Sequence, residues 1–188
     1  MTKQDQLNQL AAEIVSRGVC SDLAAQATQL VRGSGNVNAD IVLIGEAPGK
    51  NEDQQGVPFI GAAGKVLNNI FAENKIVRDD IYITNIVKYR PPNNRDPKPA
   101  EKQAFWPYLV RELEIVAPKI IVPMGRHAMT YFLPTATISE VHGKIFDWQG
   151  YKVMPLYHPA ATLYRRDLLA SLECDFAQLV QQIKRLKQ

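Results

Sequence analysis

Cysteine is scarce in this chain of 188 residues, which contains only Cys20 and Cys174. The two lie far apart in the sequence and resemble neither a disulfide framework nor a metal-binding cluster. Long apolar runs are also missing, since no stretch approaches the roughly 18 consecutive apolar residues that a membrane span requires. The polar start of the chain has no apolar run of the signal-peptide type. We therefore expect a cytoplasmic protein that does not associate with membranes.

No strong excess of one charge is present. The 22 Lys and Arg residues nearly balance the 19 Asp and Glu residues, which leaves a net charge of +3. This charge permits a polyanionic partner but does not by itself predict one. Hydrophobic residues make up 46% of the chain and charged residues 22%, as in ordinary globular proteins. The length suits a single domain over residues 1–188, with enough chain to bury a core unaided by disulfides or metal ions.

Helical and extended patterns alternate along the chain. Short apolar runs typical of buried parallel strands, and one hairpin, occupy residues 41–44, 81–87, 119–124, 144–148 and 151–156. Apolar residues recur at helical spacing in residues 7–15, 23–31, 65–74, 105–116 and 168–186. Strands separated by helices imply right-handed crossovers and a sheet covered on both faces. The sequence therefore predicts an α/β fold, a three-layer α/β/α sandwich with a central, mainly parallel four-stranded sheet.

The most unusual loops of the chain follow the predicted strands. In an open parallel sheet, ligands bind outside the carboxyl ends of the strands. We therefore expect the chain after Ile44, Val87, Met124 and Leu156 to converge on one crevice.

The first such loop runs from Gly45 to Gly64 and is rich in glycine and proline. Glycine lets the backbone approach a ligand closely, and Pro58 stiffens the position of Phe59, whose aromatic face can then meet a flat ligand. A purely structural turn would explain the same glycines. The carboxylate of Glu46 at the very end of a strand favours a functional loop.

Two further polar side chains lie at or just after the ends of predicted strands. Asn85 offers both a donor and an acceptor, which reading the edge of a nucleobase requires, although Asn in this position also caps turns. His158, followed by a proline and a helix start, is a candidate for polar catalysis, although a lone histidine is usually structural.

Three segments, GEAPGKNEDQQGVPFIGAAG, YITNIVKYRPPNNRDPKPAE and YHPAATL, occur in this order. Together they resemble the uracil-DNA glycosylase superfamily, especially the family-four enzymes of bacteria and archaea, from about residue 35 to residue 166. The resemblance implies hydrolysis of the N-glycosidic bond of uracil in DNA, the step that initiates base excision repair. It also implies uracil-containing DNA as the partner. No lysine nucleophile is needed, so we expect a monofunctional enzyme, acting as a monomer.

The resemblance assigns roles to individual residues. Glu46 would position or activate water, and Phe59 would stack on the extruded base. Asn85 would hydrogen-bond the uracil edge, and His158 would hydrogen-bond the leaving base. Backbone N–H groups near Ala47 would add to stabilisation of the departing anion.

DNA contacts are expected from loops near the crevice. The basic candidates, each of which could instead be a solvated surface charge, are Lys88, Arg90, Arg95, Lys98, Arg165 and Arg166. Leu163 is our candidate for a side chain that wedges into the duplex, with Tyr164 as the substitute. Leu163 could equally be a core residue of the following helix. We interpret His127 and His142, which lie outside the motifs, as structural.

The chain departs from family four in its cysteines. Family-four enzymes usually hold a [4Fe–4S] cluster with four of them, whereas here Cys20 stands alone and Tyr89 precedes the RPP segment. Phe105 and Trp106 fall near the last ligand position. A cluster needs about four thiolates, so we predict no cluster, no other cofactor and no metal site, with aromatic packing in that volume.

Two alternatives remain at this point. A catalytically silent DNA- or nucleobase-binding member of the same fold would need neither Glu46 nor His158. An unrelated α/β enzyme could hold phosphate on the Gly-Pro loop, but neither a Walker lysine nor a dinucleotide glycine fingerprint is found there.

Overall fold

Strands and helices alternate along residues 1–186, the part of the chain that the computed structural model describes. The strands are β1 (Ser34–Gly35), β2 (Ile41–Gly45), β3 (Tyr82–Asn85), β4 (Ile120–Pro123), β5 (Phe146–Trp148) and β6 (Tyr151–Val153). The helices are α1 (Lys3–Ser16), α2 (Ser21–Ala24), α3 (Lys50–Gln55), α4 (Ala62–Glu73), α5 (Pro99–Val116), α6 (Arg126–Met129), α7 (Ile138–Val141), α8 (Pro159–Thr162) and α9 (Asp167–Leu186). Short 3₁₀ turns occupy Arg78–Asp80 and Pro92–Asn94.

The strands form one sheet in the order β1-β3-β2-β4-β6-β5. The four inner strands are parallel, whereas β1 and β5 join the edges antiparallel to β3 and β6. The predicted α/β class and mainly parallel sheet are confirmed, but the described sheet has six strands rather than four. Edge strand β5 lies within the predicted hairpin strand at residues 144–148. Edge strand β1 escapes prediction because it is only two residues long and has no apolar side chain of its own.

Both faces of the sheet are covered, which confirms the three layers. Alternate residues of a strand point to opposite faces. In β2, Val42 and Ile44 pack in one core with α1 and α5, while Ile41 and Leu43 pack in a second core with α4 and α9. All of β2 is buried, as its uninterrupted apolar run predicts.

The helix predicted over residues 23–31 is wrong beyond its first turn. Helix α2 ends at Ala24, and the following segment instead bonds to loops from elsewhere in the chain. The backbone N–H and hydroxyl of Thr28 both donate to Asp53 at 2.8 Å, and the N–H of Val31 donates to the carbonyl of Lys88 at 2.8 Å. These tertiary hydrogen bonds outweigh the helical periodicity of the apolar residues. Among the described helices, none is long and apolar enough to cross a membrane.

Candidate active site

The loops after β2, β3, β4 and β6 meet at one edge of the sheet, as expected from the strand ends. The loops after β2, β3 and β6 line a cavity of about 480 Å³. The cavity lining includes all five residues predicted to bind the base or to assist its hydrolytic release: Glu46, Ala47, Phe59, Asn85 and His158. The sequence prediction of their convergence is therefore confirmed, while their chemical roles stay predictions.

Asn85 and Phe59 are brought together by the glycine that ends β2. Gly45 pairs in register with Asn85, and a Cβ at position 45 would lie 2.4 Å from Asn85 Oδ1 and 2.6 Å from the Phe59 ring. Only a residue without a side chain permits this approach. Asn85 is 2% exposed, and its buried Oδ1 has no hydrogen-bond partner among the described residues. A buried unpaired amide oxygen is costly, so a ligand donor here would be bound favourably.

The loop that carries Phe59 is held by a carboxylate to which the sequence analysis gave no role. Glu52 Oε1 accepts the backbone N–H of Ile60 at 3.0 Å and that of Gly61 at 2.7 Å. Phe59 itself has a left-handed backbone, with φ of +54°. Such a conformation is unfavourable for a bulky residue and persists only where its surroundings enforce it. Glu52 provides that constraint, and the Phe59 ring lies 5.5 Å from the ring of His158.

His158 caps helix α8 and is fixed in one tautomer. Its Nδ1 accepts the backbone N–H of Ala160 at 3.1 Å, so the proton of the neutral ring sits on Nε2. Burial, with a smaller contribution from the nearby His127, lowers the pKa of His158 to about 4. The imidazole is therefore neutral at neutral pH and acts as a hydrogen-bond donor through Nε2. Gly125 makes room for it, because a Cβ there would lie 2.9 Å from His158 Cβ.

Glu46 lies in a mixed electrostatic environment, with its side chain 18% exposed. Its buried Oε1 makes no hydrogen bond to the described residues, but lies 3.5 Å from His127 Nδ1 and 3.6 Å from Lys102 Nζ. Burial raises the pKa of Glu46 above its ordinary value, while the charges of His127 and Lys102 oppose that rise. The ionisation of this carboxyl group thus depends on its burial and on its neighbours Lys102 and His127.

His127 and Lys102 are site residues that the sequence reasoning missed. The interpretation of His127 as structural is not supported, since its ring faces the Glu46 carboxylate. A signal was available, because His127 follows β4 closely and that strand end was expected at the crevice. Nothing in the pattern marks Lys102, which reaches Glu46 from helix α5. His142, in contrast, bonds Asp175 Oδ2 through Nδ1 at 2.7 Å, in line with a structural role.

Lys88 is wrongly predicted as a DNA contact. Its side chain is 3% exposed, and Nζ lies 2.5 Å from Glu112 Oε2 and 2.5 Å from Thr84 Oγ1. Glu112 on α5 also accepts the hydroxyl of Tyr82 at 2.8 Å. The residues after β3 thus turn this ammonium inward to neutralise a buried carboxylate, which leaves it unable to reach a phosphate.

The remaining predicted DNA contacts lie nearer the surface. Arg95 lines the cavity and pairs with Glu101 at 2.6 Å, Arg90 Nε donates to Asn94 at 2.7 Å, and Arg165 pairs with Asp167. Leu163 is 48% exposed, which argues against the alternative of an ordinary core residue. Its neighbour Tyr164 is 89% exposed. The contacts of these residues with DNA stay predictions.

The site of the family-four cluster contains packed side chains that do not fit an iron–sulfur group. Tyr89 and Phe105 make an edge-to-face contact with ring centroids 6.0 Å apart, and Leu23 packs in the same core. Cys20, partly buried against this core, places its thiol 3.8 Å from the carbonyl of Glu101, whereas Cys174 is exposed on α9. A single thiol cannot ligate a cluster that needs about four.

Proteins of one family resemble this chain over most of its length. A family model described as the uracil DNA glycosylase superfamily matches residues 32–184. The type-4 uracil-DNA glycosylase of Archaeoglobus fulgidus is 45% identical over 184 residues, covering 93% of this chain and 92% of that protein. Those of Sulfurisphaera tokodaii and Thermotoga maritima are 44% and 39% identical, covering 93% and 88% of this chain and 84% and 88% of theirs. With the motif residues gathered in one cavity, these matches establish that the chain belongs to the uracil-DNA glycosylase superfamily.

Proposed function

We propose that the chain is a monofunctional uracil-DNA glycosylase that hydrolyses the N-glycosidic bond of an extruded deoxyuridine. The observation that carries this proposal is the meeting of Glu46, Asn85 and His158 in one cavity, with Asn85 Oδ1 and His158 Nε2 left available for a base. Relatives named as uracil-DNA glycosylases align with most of the chain, which supports the proposal. The product, an abasic site, initiates base excision repair.

Recognition of uracil follows from the Asn85 amide. An enzyme that acts on a base must take it out of the stack into a pocket. There the unpaired Oδ1 can accept the N3–H of uracil while the amide N–H donates to O4, whereas cytosine presents the opposite pattern at these two atoms. The Phe59 ring, held by Glu52 and packed near His158, supplies a face on which the base can stack.

Departure of uracil is assisted by His158. Bond cleavage develops negative charge on the base and positive charge on the sugar. The neutral imidazole donates its Nε2–H to the uracil oxygen that gains charge, rather than transferring a proton, because its pKa of about 4 keeps it neutral. Loss of one such donor typically slows a reaction by about 100- to 1000-fold. Ala47 lines the same cavity and can add a backbone donor.

Attack by water is assigned to Glu46. Its carboxylate can orient a water molecule toward the sugar carbon and stabilise the positive charge that develops there. Lys102 pairs with Glu46, so its role is electrostatic, and no step requires an amine to attack the sugar. Borohydride trapping with uracil-containing DNA should therefore capture no covalent enzyme–DNA adduct, and the DNA strand should break only after alkali.

The test is release of free uracil from labelled oligonucleotides with U:G, U:A or single-stranded uracil. We expect release by the wild type and large losses in Glu46→Ala, Asn85→Ala and His158→Ala. A silent binding protein would retain the DNA without releasing uracil from any of the three. Wild-type rates in all three variants would refute the site assignment even in an active enzyme. Monomeric state and cytoplasmic location stay predictions, the first to be checked by sedimentation with and without DNA.

A further inference from the structure

We propose that His127 is a positioning residue, which orients the Glu46 carboxylate toward the attacking water through its Nδ1–H. The inference rests on the proposed function, since it concerns the group that activates water. His127 lies on α6, directly after the turn that follows β4, and its Nδ1 is 3.5 Å from Glu46 Oε1. That oxygen is buried and has no hydrogen bond to any described residue, so it offers a place for a donor.

The neighbour of His127 selects the tautomer that this role requires. Arg126 Nε donates to His127 Nε2 at 3.2 Å, so Nε2 acts as an acceptor. In the neutral ring the proton then sits on Nδ1, the nitrogen that faces Glu46. A movement of a few tenths of an ångström would bring the pair to hydrogen-bond distance, and catalytic contacts are often long before substrate binds.

Other ionisable groups surround Glu46, but they cannot replace this contact. Lys102 approaches the same oxygen from α5 at 3.6 Å, and its ammonium is a mobile point charge rather than a planar group of fixed direction. The remaining ionisable groups close to Glu46 or His127 are Asp96, Tyr131 and His158. In the described contacts none of these three donates a hydrogen bond to the buried Glu46 oxygen. We therefore assign the orientation of the Glu46 carboxylate to His127.

A bound metal ion is not a better explanation for the group formed by Glu46, Asp96 and His127. Ligand atoms of Glu46, Asp96 and His127 lie within 4.8 Å of one another, a spacing that a metal ion can bridge. However, the Lys102 ammonium beside Glu46 already supplies positive charge and would repel a divalent cation. The assays below therefore contain EDTA, so that activity measured in them is independent of such an ion.

The first experiment separates chemistry from binding by single-turnover kinetics on a U:G duplex with enzyme in excess. His127→Phe keeps an aromatic ring without the N–H, whereas His127→Gln retains a donor. We expect the phenylalanine variant to lower the maximal rate by about 10- to 100-fold, as misplacement of a catalytic group does. The half-saturating enzyme concentration should stay unchanged, and His127→Gln should recover most of the rate. Equal losses in both variants, or a loss in binding alone, would overturn the proposal.

The second experiment asks whether His127 acts through Glu46. If it does, His127→Phe should cost almost nothing further in a Glu46→Ala background, because no carboxylate remains to be oriented. Losses that multiply would overturn the inference while leaving the proposed function intact. A wild-type rate in Glu46→Ala would overturn both. His142→Phe serves as the control histidine, since His142 bonds Asp175 outside the cavity, and thermal unfolding verifies that every variant is folded.

Discussion

Gly45→Ala is the sharpest single perturbation that the structure offers. The new Cβ would lie 2.4 Å from Asn85 Oδ1 and 2.6 Å from two carbons of the Phe59 ring, whereas ordinary contacts begin at 3.4 Å. One methyl group thus requires a displacement of about 1 Å by the base reader, the stacking ring or both. Neither can yield freely, because Phe59 and Asn85 are 5% and 2% exposed and the surrounding core is closely packed.

The expected magnitude differs between stability and catalysis. Overpacking of a core costs about 1–3 kcal/mol in unfolding free energy, so the variant should fold with a lowered melting temperature. A 1 Å misplacement near the reacting groups costs about 100-fold in rate. We therefore expect a folded protein whose uracil excision falls by about two orders of magnitude.

Single-turnover excision and thermal unfolding measure the two effects separately. The control is Gly150→Asn at the β5–β6 turn, where an added Cβ meets nothing within 4 Å and where Asn tolerates the positive φ. It should excise uracil at the wild-type rate. A wild-type rate in Gly45→Ala as well would show that the close approach of Phe59 and Asn85 to residue 45 is not needed for catalysis.

Five further predictions follow from particular contacts. Because His158 is neutral above its pKa of about 4, its protonation should not reduce excision until the pH nears that value. A fall in the wild-type rate near pH 6.5 that is absent in His158→Gln would contradict this. Since its folded pKa lies below the unfolded value of about 6.5, its contribution to stability should be complete above that pH and decline toward pH 4 in thermal melts. Lys88→Met should cost about 3–5 kcal/mol in denaturant unfolding by stranding the buried Glu112 charge, with much of it regained in Lys88→Met/Glu112→Leu; an unchanged midpoint in the single variant would argue against the pair. Leu163→Ala should slow excision from duplex DNA more than from single strands, and equal losses would reject a wedge. Purified protein should contain no stoichiometric iron by elemental analysis, and a brown, iron-rich preparation would refute the packing at Tyr89.

Much of the site was predictable because it depends on local pattern. An uninterrupted apolar run such as residues 41–44 indicates a buried parallel strand, and parallel strands present their carboxyl ends at one edge. Polar residues that directly follow such runs must therefore meet, as Glu46, Asn85 and His158 do. The shortage of cysteines for an iron–sulfur cluster was equally predictable, because it can be counted in the sequence.

Residues whose surroundings come from distant parts of the chain were not predictable in this way. From its sequence context Lys88 resembles a surface cation. In the folded protein it pairs in the core with Glu112 of α5, 24 positions further along the chain. His127 resembles a structural histidine until the turn after β4 aims it at Glu46.

The sequence by itself determined the layers of the fold, the convergence of the inner strands' carboxyl ends and the residue types that meet there. Only the tertiary structure decided which cations are buried and which nitrogen of His127 or His158 bears the proton. It also decided how closely the Asn85 side chain approaches the backbone of Gly45. The reason is physical. Strand and helix patterns are set by neighbours in the chain, whereas charge pairing and tautomers are set by groups that folding brings within a few ångströms.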